Sequence, residues 1–276
     1  MKLIFFAFLL AASFGAQGQY YYTDIIGTRE TAALLKNYKA QKVRKVTLKS
    51  YDANDTRSED FLVEQTFQGG TLSTFTRSGA TGGSTLLSTV DDNGNVVRTV
   101  DSSETSTTTT VYNYDASGRL TSLVSSGSDT SKAFAQTEER QWQYSGDKPL
   151  RMLRIRNRKD TTIVDFRLDE RGNVIEEQST RRGVKATPVQ YYYDAKDRLT
   201  DIVRYSNKAR RLLPEYMFEY SPSNQVIQKI TVPANSSDYL IWRYQYDQRG
   251  LKIKEAIFNK KKQLTGKIEY QYQFES

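Results

Sequence analysis

Cations gather in four short groups in the second half of this 276-residue chain: Arg156, Arg158 and Lys159; Arg181, Arg182 and Lys185; Lys208, Arg210 and Arg211; Lys260, Lys261 and Lys262. Clustered Lys and Arg raise the local potential and attract polyanions, so the chemistry they offer is anion recognition. Residues 1–147 hold 14 basic and 16 acidic side chains, whereas residues 148–276 hold 26 and 16, so the formal net charge of +8 arises wholly in the later part. The same cations have a plainer use, keeping hairpin tips soluble and discouraging strand pairing between molecules. Both readings stand on the sequence.

The chain has no His and no Cys. That removes the commonest general base, the commonest metal ligand and every Ser-His or Cys-His nucleophile, and it leaves no disulfide to brace the fold. Glu138-Glu139 and Glu176-Glu177 are adjacent pairs, so on a strand their members point to opposite faces and are poorly placed to cooperate. The acidic run Asp91-Asp92-Asn93-Gly94-Asn95 has the composition of a calcium loop but lacks the later Glu of an EF-hand, and it fits a hairpin turn instead. No catalytic residue, metal site or cofactor is assigned, and a non-enzyme is expected.

The elements that position these side chains come from a repeat. Tyr114-Asp115 followed by Gly118-Arg119-Leu120 returns as Leu168-Asp169 with Gly172-Asn173-Val174, and as Tyr193-Asp194 with Asp197-Arg198-Leu199. It returns again as Tyr220-Ser221 with Asn224-Gln225-Val226 and as Tyr246-Asp247 with Gly250, while Val90-Asp91, Tyr144-Ser145 and Tyr270 to Tyr272 are weaker or partial copies. An aromatic commonly lies two residues before each anchor, as in Tyr112 or Trp142, which puts both on one face of a strand. Asp or Ser then hydrogen-bonds a type I turn, and Gly, Asn or Asp three residues later tolerates a left-handed backbone. Asp115, Gly118, Asp169, Gly172, Asp194, Asp197, Asn224, Asp247 and Gly250 are therefore expected as structural turn residues. A period of about 25 residues accommodates two strands of roughly nine. The expected fold is all-β: an up-and-down antiparallel meander of such hairpins, forming a long curved sheet or open barrel, with the Tyr-Asp turns at one end and the cation-bearing turns at the other.

These units resemble the YD repeat of Rhs and teneurin-type proteins and of bacterial toxin-complex shells. The resemblance covers residues 86–276 and implies a curved, aromatic-lined sheet, in a short form without a toxin domain. Residues 19–85 differ, and are expected to form a cap over the first sheet edge, with a helix over about Arg29–Lys39 capped by Thr28 and strands after Val43 and at Phe61. Residues 1–18 read as a signal peptide: Lys2 precedes an apolar run too short to span a membrane, and Ala16-Gln17-Gly18 supplies small residues for cleavage before Gln19.

The function expected from these features is a non-catalytic, exported scaffold or binding protein of a Gram-negative envelope, periplasmic, extracellular or outer-membrane-associated. Its partner would be an anionic glycan or lipid, or a protein, met through the basic rim; nucleic acid is not the expected partner. Two alternatives remain: a shell-like carrier or chaperone sheltering a hydrophobic ligand or polypeptide, and a carbohydrate-binding surface that uses the aromatic stripe.

Overall fold

The computed structural model describes residues 19–79, 82–131, 135–207, 209–233 and 236–275. Residues 1–18, read above as a leader, and Lys208 lie outside the described residues. After a π-helical stretch, Tyr21–Ile26, helix α1 (Gly27–Ala40) leads into nineteen strands. These are β1 (Val43–Asp52), β2 (Phe61–Gln68), β3 (Thr71–Ser78), β4 (Gly82–Val90), β5 (Val96–Ser103), β6 (Ser106–Tyr114), β7 (Leu120–Asp129), β8 (Ala135–Ser145), β9 (Lys148–Arg156) and β10 (Asp160–Leu168). There follow β11 (Val174–Arg181), β12 (Val184–Lys185), β13 (Val189–Tyr193), β14 (Leu199–Ser206), β15 (Arg211–Tyr220), β16 (Val226–Thr231), β17 (Leu240–Tyr246), β18 (Lys252–Asn259) and β19 (Leu264–Phe274).

Apart from β12 and β13, each strand pairs antiparallel with its sequence neighbour, and β1 pairs with both β2 and β19, so the meander closes into a barrel. The two-residue β12 and β13 both pair with β11, so they share one place in a wall of eighteen. Closure removes the bare edge that residues 19–85 were expected to cover; β1 to β4 are part of the wall itself.

The inward face is apolar in two clusters. One joins Leu35 and Tyr38 of α1 to Val46, Leu48, Val63, Phe67, Leu251 and Ile268. The other joins Tyr20 and Ile25 to Trp142, Met152, Phe166, Tyr191 and Ile202. The helix thus lies inside the barrel, and Thr28 does not cap it: its hydroxyl donates back to the Asp24 carbonyl at 2.5 Å, as Thr side chains do within a helix. Eighteen strands ~4.8 Å apart, tilted by ~40°, make a round wall about 36 Å across. One helix of ~10–12 Å diameter leaves room beside it in such a lumen.

On the outward face charges pair in the open, as in Lys45–Glu64 at 2.7 Å, Arg151–Asp165 at 2.6 Å and Arg167–Glu176 at 3.2 Å. A cation at the midplane of a lipid-facing wall costs about 2–4 kcal/mol.

Candidate functional site: two rims and the lumen between them

The Tyr-Asp turns occupy one end of the barrel and share one hydrogen-bond pattern. In the turn at Asp115, the Gly118 N–H donates to the Asp115 carbonyl at 2.9 Å, and the Asp115 N–H donates to the Arg119 carbonyl at 3.0 Å. The Asp115 carboxylate accepts the N–H groups of Ser117 and Arg119 at 2.9 and 3.0 Å. Asp169, Asp194 and Asp247 repeat this, and the left-handed position is taken by Gly118, Gly172, Asp197, Asn224 and Gly250, with φ of 75, 85, 59, 65 and 74°. The Arg198 side chain, opposed by burial and joined by the Arg198 and Lys196 N–H groups, holds the Asp194 carboxyl at about 2.

Neighbouring turns are stitched together. The repeat Tyr hydroxyl donates to the first strand residue after the preceding turn: Tyr114 to the Val96 carbonyl at 2.9 Å, Tyr193 to Val174 at 2.8 Å, Tyr220 to Leu199 at 2.7 Å and Tyr246 to Val226 at 2.9 Å. In the other direction, Arg198 reaches the Ser221 carbonyl at 3.0 Å and lies over the Tyr220 ring at 4.7 Å. Arg119 likewise reaches Gly146, and Arg171 pairs with Asp197 at 2.9 Å. The preference for Tyr over Phe at the anchor is the sequence signal for this stitching, and only the fold reveals its partner.

The described candidate cations stand at the opposite end, in or beside the connections β9–β10, β11–β12, β14–β15 and β18–β19. They do not act alike. Arg156 turns inward to Glu138 at 2.9 Å, Arg181 pairs with Asp160, Arg182 lies 4.0 Å from Asp160, and Lys260 pairs with Asp238 at 2.6 Å. Among the described residues, Arg158, Lys159, Lys185, Arg210, Arg211, Lys261 and Lys262 are exposed and form no ion pair. Arg158, Arg210 and Lys262 moreover adopt left-handed φ of 57, 52 and 59°, the conformation that Gly94, Gly118, Gly172 and Gly250 take at the other rim.

The aromatic stripe faces the lumen, not solvent. Trp142 stacks on Phe166 with ring centroids 5.1 Å apart, Tyr21 meets Tyr191 edge-on at 5.6 Å, and Tyr38 packs against Phe67 and Tyr272. This corrects the carbohydrate-surface reading, because rings packed on one another and on the internal helix cannot stack on a sugar outside the wall.

Between the rims lie buried charges that sequence reasoning passed over. Glu138 is 1% exposed and meets Arg140 at 2.7 Å, Arg154 at 2.7 Å and Arg156 at 2.9 Å. Arg140 also reaches Asp24 of the helix at 2.5 Å, and the Arg140 and Arg154 guanidiniums lie over the Tyr20 ring at 5.0 and 5.6 Å. Burial pushes the Asp24 carboxyl up, while Arg140 pulls it down. Glu177, also 1% exposed, accepts the N–H groups of Gln19, Tyr20 and Tyr21 at 2.8, 3.1 and 3.0 Å and the Tyr191 hydroxyl at 2.9 Å. A wall carboxylate thus satisfies the orphan donors at the helix start. Glu139 and Glu176 point outward, as adjacency on a strand requires, so the inward members of both pairs are the ones that hold the helix. The alternation Glu138, Arg140, Trp142, Tyr144 carried that signal, since it places charges on the aromatic face.

Two clefts separate the helix from the Tyr-Asp rim, of about 80 and 170 Å³, the larger lined by Tyr21, Arg29, Tyr144, Lys148 and Asn173. Ligand pockets usually run to ~300–1,000 Å³, so these are places for water or a few atoms. Among the described residues no group of three or more acidic side chains could hold a metal ion.

The fold and its turns define a class: a closed barrel of repeated Tyr-Asp hairpins wound around an internal helix. Residues 90–130 match the RHS Repeat family. Comparison with curated proteins gives no match in sequence. Solved structures with similar backbones include the TcdB2-TccC3-Cdc42 complex and the Photorhabdus luminescens Tc holotoxin pore, each at 15% identity and TM-score 0.34 over 78% of this chain. The chain spans 12% of the length of each of those matched chains. A porin-like protein from Bacteroides uniformis matches at 10% identity and TM-score 0.33, over 84% of this chain and 98% of its own.

Proposed function

We propose that this protein is a non-catalytic, exported scaffold of the bacterial envelope that binds an anionic glycan or lipid headgroup through its basic rim. One observation carries the reading: Arg158, Arg210 and Lys262 occupy left-handed turn positions and form no ion pair. A non-Gly residue there costs about 1–2 kcal/mol, and a side chain retained at such a cost is a candidate for function. Successive hairpins are ~10 Å apart along the rim, close to the ~8 Å Debye length at physiological salt, so the fields of neighbouring groups overlap.

The test is the triple variant Arg158→Gly, Arg210→Gly, Lys262→Gly, compared with the wild type in binding to anionic vesicles, lipopolysaccharide, neutral vesicles and DNA across a salt series. Cations near an anionic surface contribute about 1 kcal/mol each, so affinity for the anionic targets is expected to fall on the order of a hundredfold. Unchanged affinity, or no salt-sensitive binding by the wild type, ends the proposal. Closure of the wall favours the shell-like alternative, but the helix carrying Ile25, Leu35 and Tyr38 fills the apolar clusters that a sheltered ligand would use.

A further inference from the structure

We infer that the working chain begins at Gln19 and that its free α-ammonium is the counter-ion of the buried Glu177. The inference rests on residues 1–18 being a removable leader and not on anion binding at the rim, so either can fail alone.

Two independent observations point to it. The Glu177 carboxylate is 1% exposed, and its four hydrogen-bond donors, the N–H groups of Gln19, Tyr20 and Tyr21 and the Tyr191 hydroxyl, are all neutral. A helix start supplies only about half a positive charge against the full negative charge of a carboxylate. Burial accordingly pushes the Glu177 carboxyl up, although each of these donors pulls it down. The Gln19 nitrogen is the nearest of the backbone donors, 2.8 Å away. Second, Gln19 has a φ of 74°, in the left-handed region. The crowding that disfavours this region for a side-chain-bearing residue comes partly from the preceding carbonyl group. A first residue has no preceding carbonyl, so the strain disappears with the bond.

The chemistry is hydrolysis of the Gly18–Gln19 peptide bond. Water's hydroxyl goes to the Gly18 carbonyl carbon, the C–N bond breaks, and the released amine takes up a proton. An α-amine with its ordinary pKa of about 7.7–8.0 is mostly protonated at neutral pH, and a carboxylate beside it strengthens that. The Gln19 side-chain amide is held separately by Glu215. An N-terminal Gln otherwise cyclises: its amine attacks its own side-chain carbonyl and expels ammonia. Here two different carboxylates keep the reacting groups apart, so the free amine is retained.

The test begins with the full chain made in an export-competent bacterium and the exported form examined by N-terminal sequencing and intact mass. Gln19 with an uncyclised amine is the expected result; a start at any other residue, or a mass lower by one ammonia, overturns the inference. A chain starting at Gln19 and one bearing an additional Ser before it are then compared in the wild-type and Glu177→Gln backgrounds. The added residue should lower the Tm of the wild type by several degrees and have little effect in the Glu177→Gln background, where no buried charge awaits a counter-ion. An equal effect in both backgrounds overturns the pairing. Should Glu177→Gln not fold, labelling of the α-amine with an acylating reagent near neutral pH decides: protection that is lost on unfolding supports the pairing, and labelling as fast in the folded as in the unfolded chain refutes it.

Discussion

The two rims of this barrel carry the same residue types and use them differently. At the Tyr-Asp rim Arg119, Arg171, Arg198 and Arg249 are each tied to a turn carboxylate or to a neighbouring turn. At the opposite rim Arg158, Arg210 and Lys262 sit in left-handed turns and are bound to no carboxylate. The cause is local. In Asp115-x-x-x-Arg119 and Asp194-x-x-x-Arg198 the turn folds the arginine back onto the aspartate four residues earlier, at 2.7 and 2.6 Å, so these two turns supply their own counter-ion. The cationic turns contain no such aspartate. A basic side chain is therefore structural or available according to whether its own turn, or a strand or turn brought beside it, supplies a carboxylate.

The comparison can be broken most severely between the rims, where Arg156 leaves its rim to join Glu138. Removing one member of a buried ion cluster leaves charge uncompensated and costs about 3–5 kcal/mol. Glu138→Ala should lower Tm more than any rim substitution, by thermal unfolding; a variant as stable as the wild type would mean that Arg140, Arg154 and Arg156 do not depend on this carboxylate. At the Tyr-Asp rim, Tyr220→Phe removes the 2.7 Å bond to the Leu199 carbonyl. The expected loss is about 0.5–1.5 kcal/mol in denaturant unfolding, with anionic-vesicle binding unchanged.

A smaller effect appears only in acid. The Asp194 carboxyl is lowered from 3.8 to about 2 in the folded protein, chiefly by the Arg198 side chain. Because the folded value is the lower one, its contribution is complete above the unfolded value and is lost as pH falls through about 2. Asp194→Asn should flatten that acid limb in a Tm-versus-pH series and leave Tm less pH-dependent between about 4 and 2; an acid limb identical to the wild type would show that the turn does not hold the charge. The smallest stability effect belongs to the basic rim, where Arg158→Gly, Arg210→Gly, Lys262→Gly should change Tm little or raise it, since Gly takes a left-handed backbone without side-chain strain.

The repeat made the hairpins, their turns and the separation of the two ends legible in sequence, because a type I turn with a left-handed residue is a local contract between Asp115 and Gly118, or Asp194 and Asp197. Placement of the eleven described cations at one end followed from the same period; Lys208 lies outside the described residues. What local chemistry could not show was which cations would be spent: Arg156 meets Glu138 from another strand, and Arg181 meets Asp160 across β10 and β11.

The sequence by itself therefore determined the unit: two strands, a Tyr-Asp turn and an inward aromatic. Closure depended on the long-range pairing of β1 with β19, a contact between residues more than two hundred apart that no single repeat encodes. Closure gave the aromatic face an inside, and that inside drew in the N-terminal helix. Only then did Glu138 and Glu177 acquire their meaning, because burying a carboxylate is tolerable only where partners converge on it from elements that the chain brings together last.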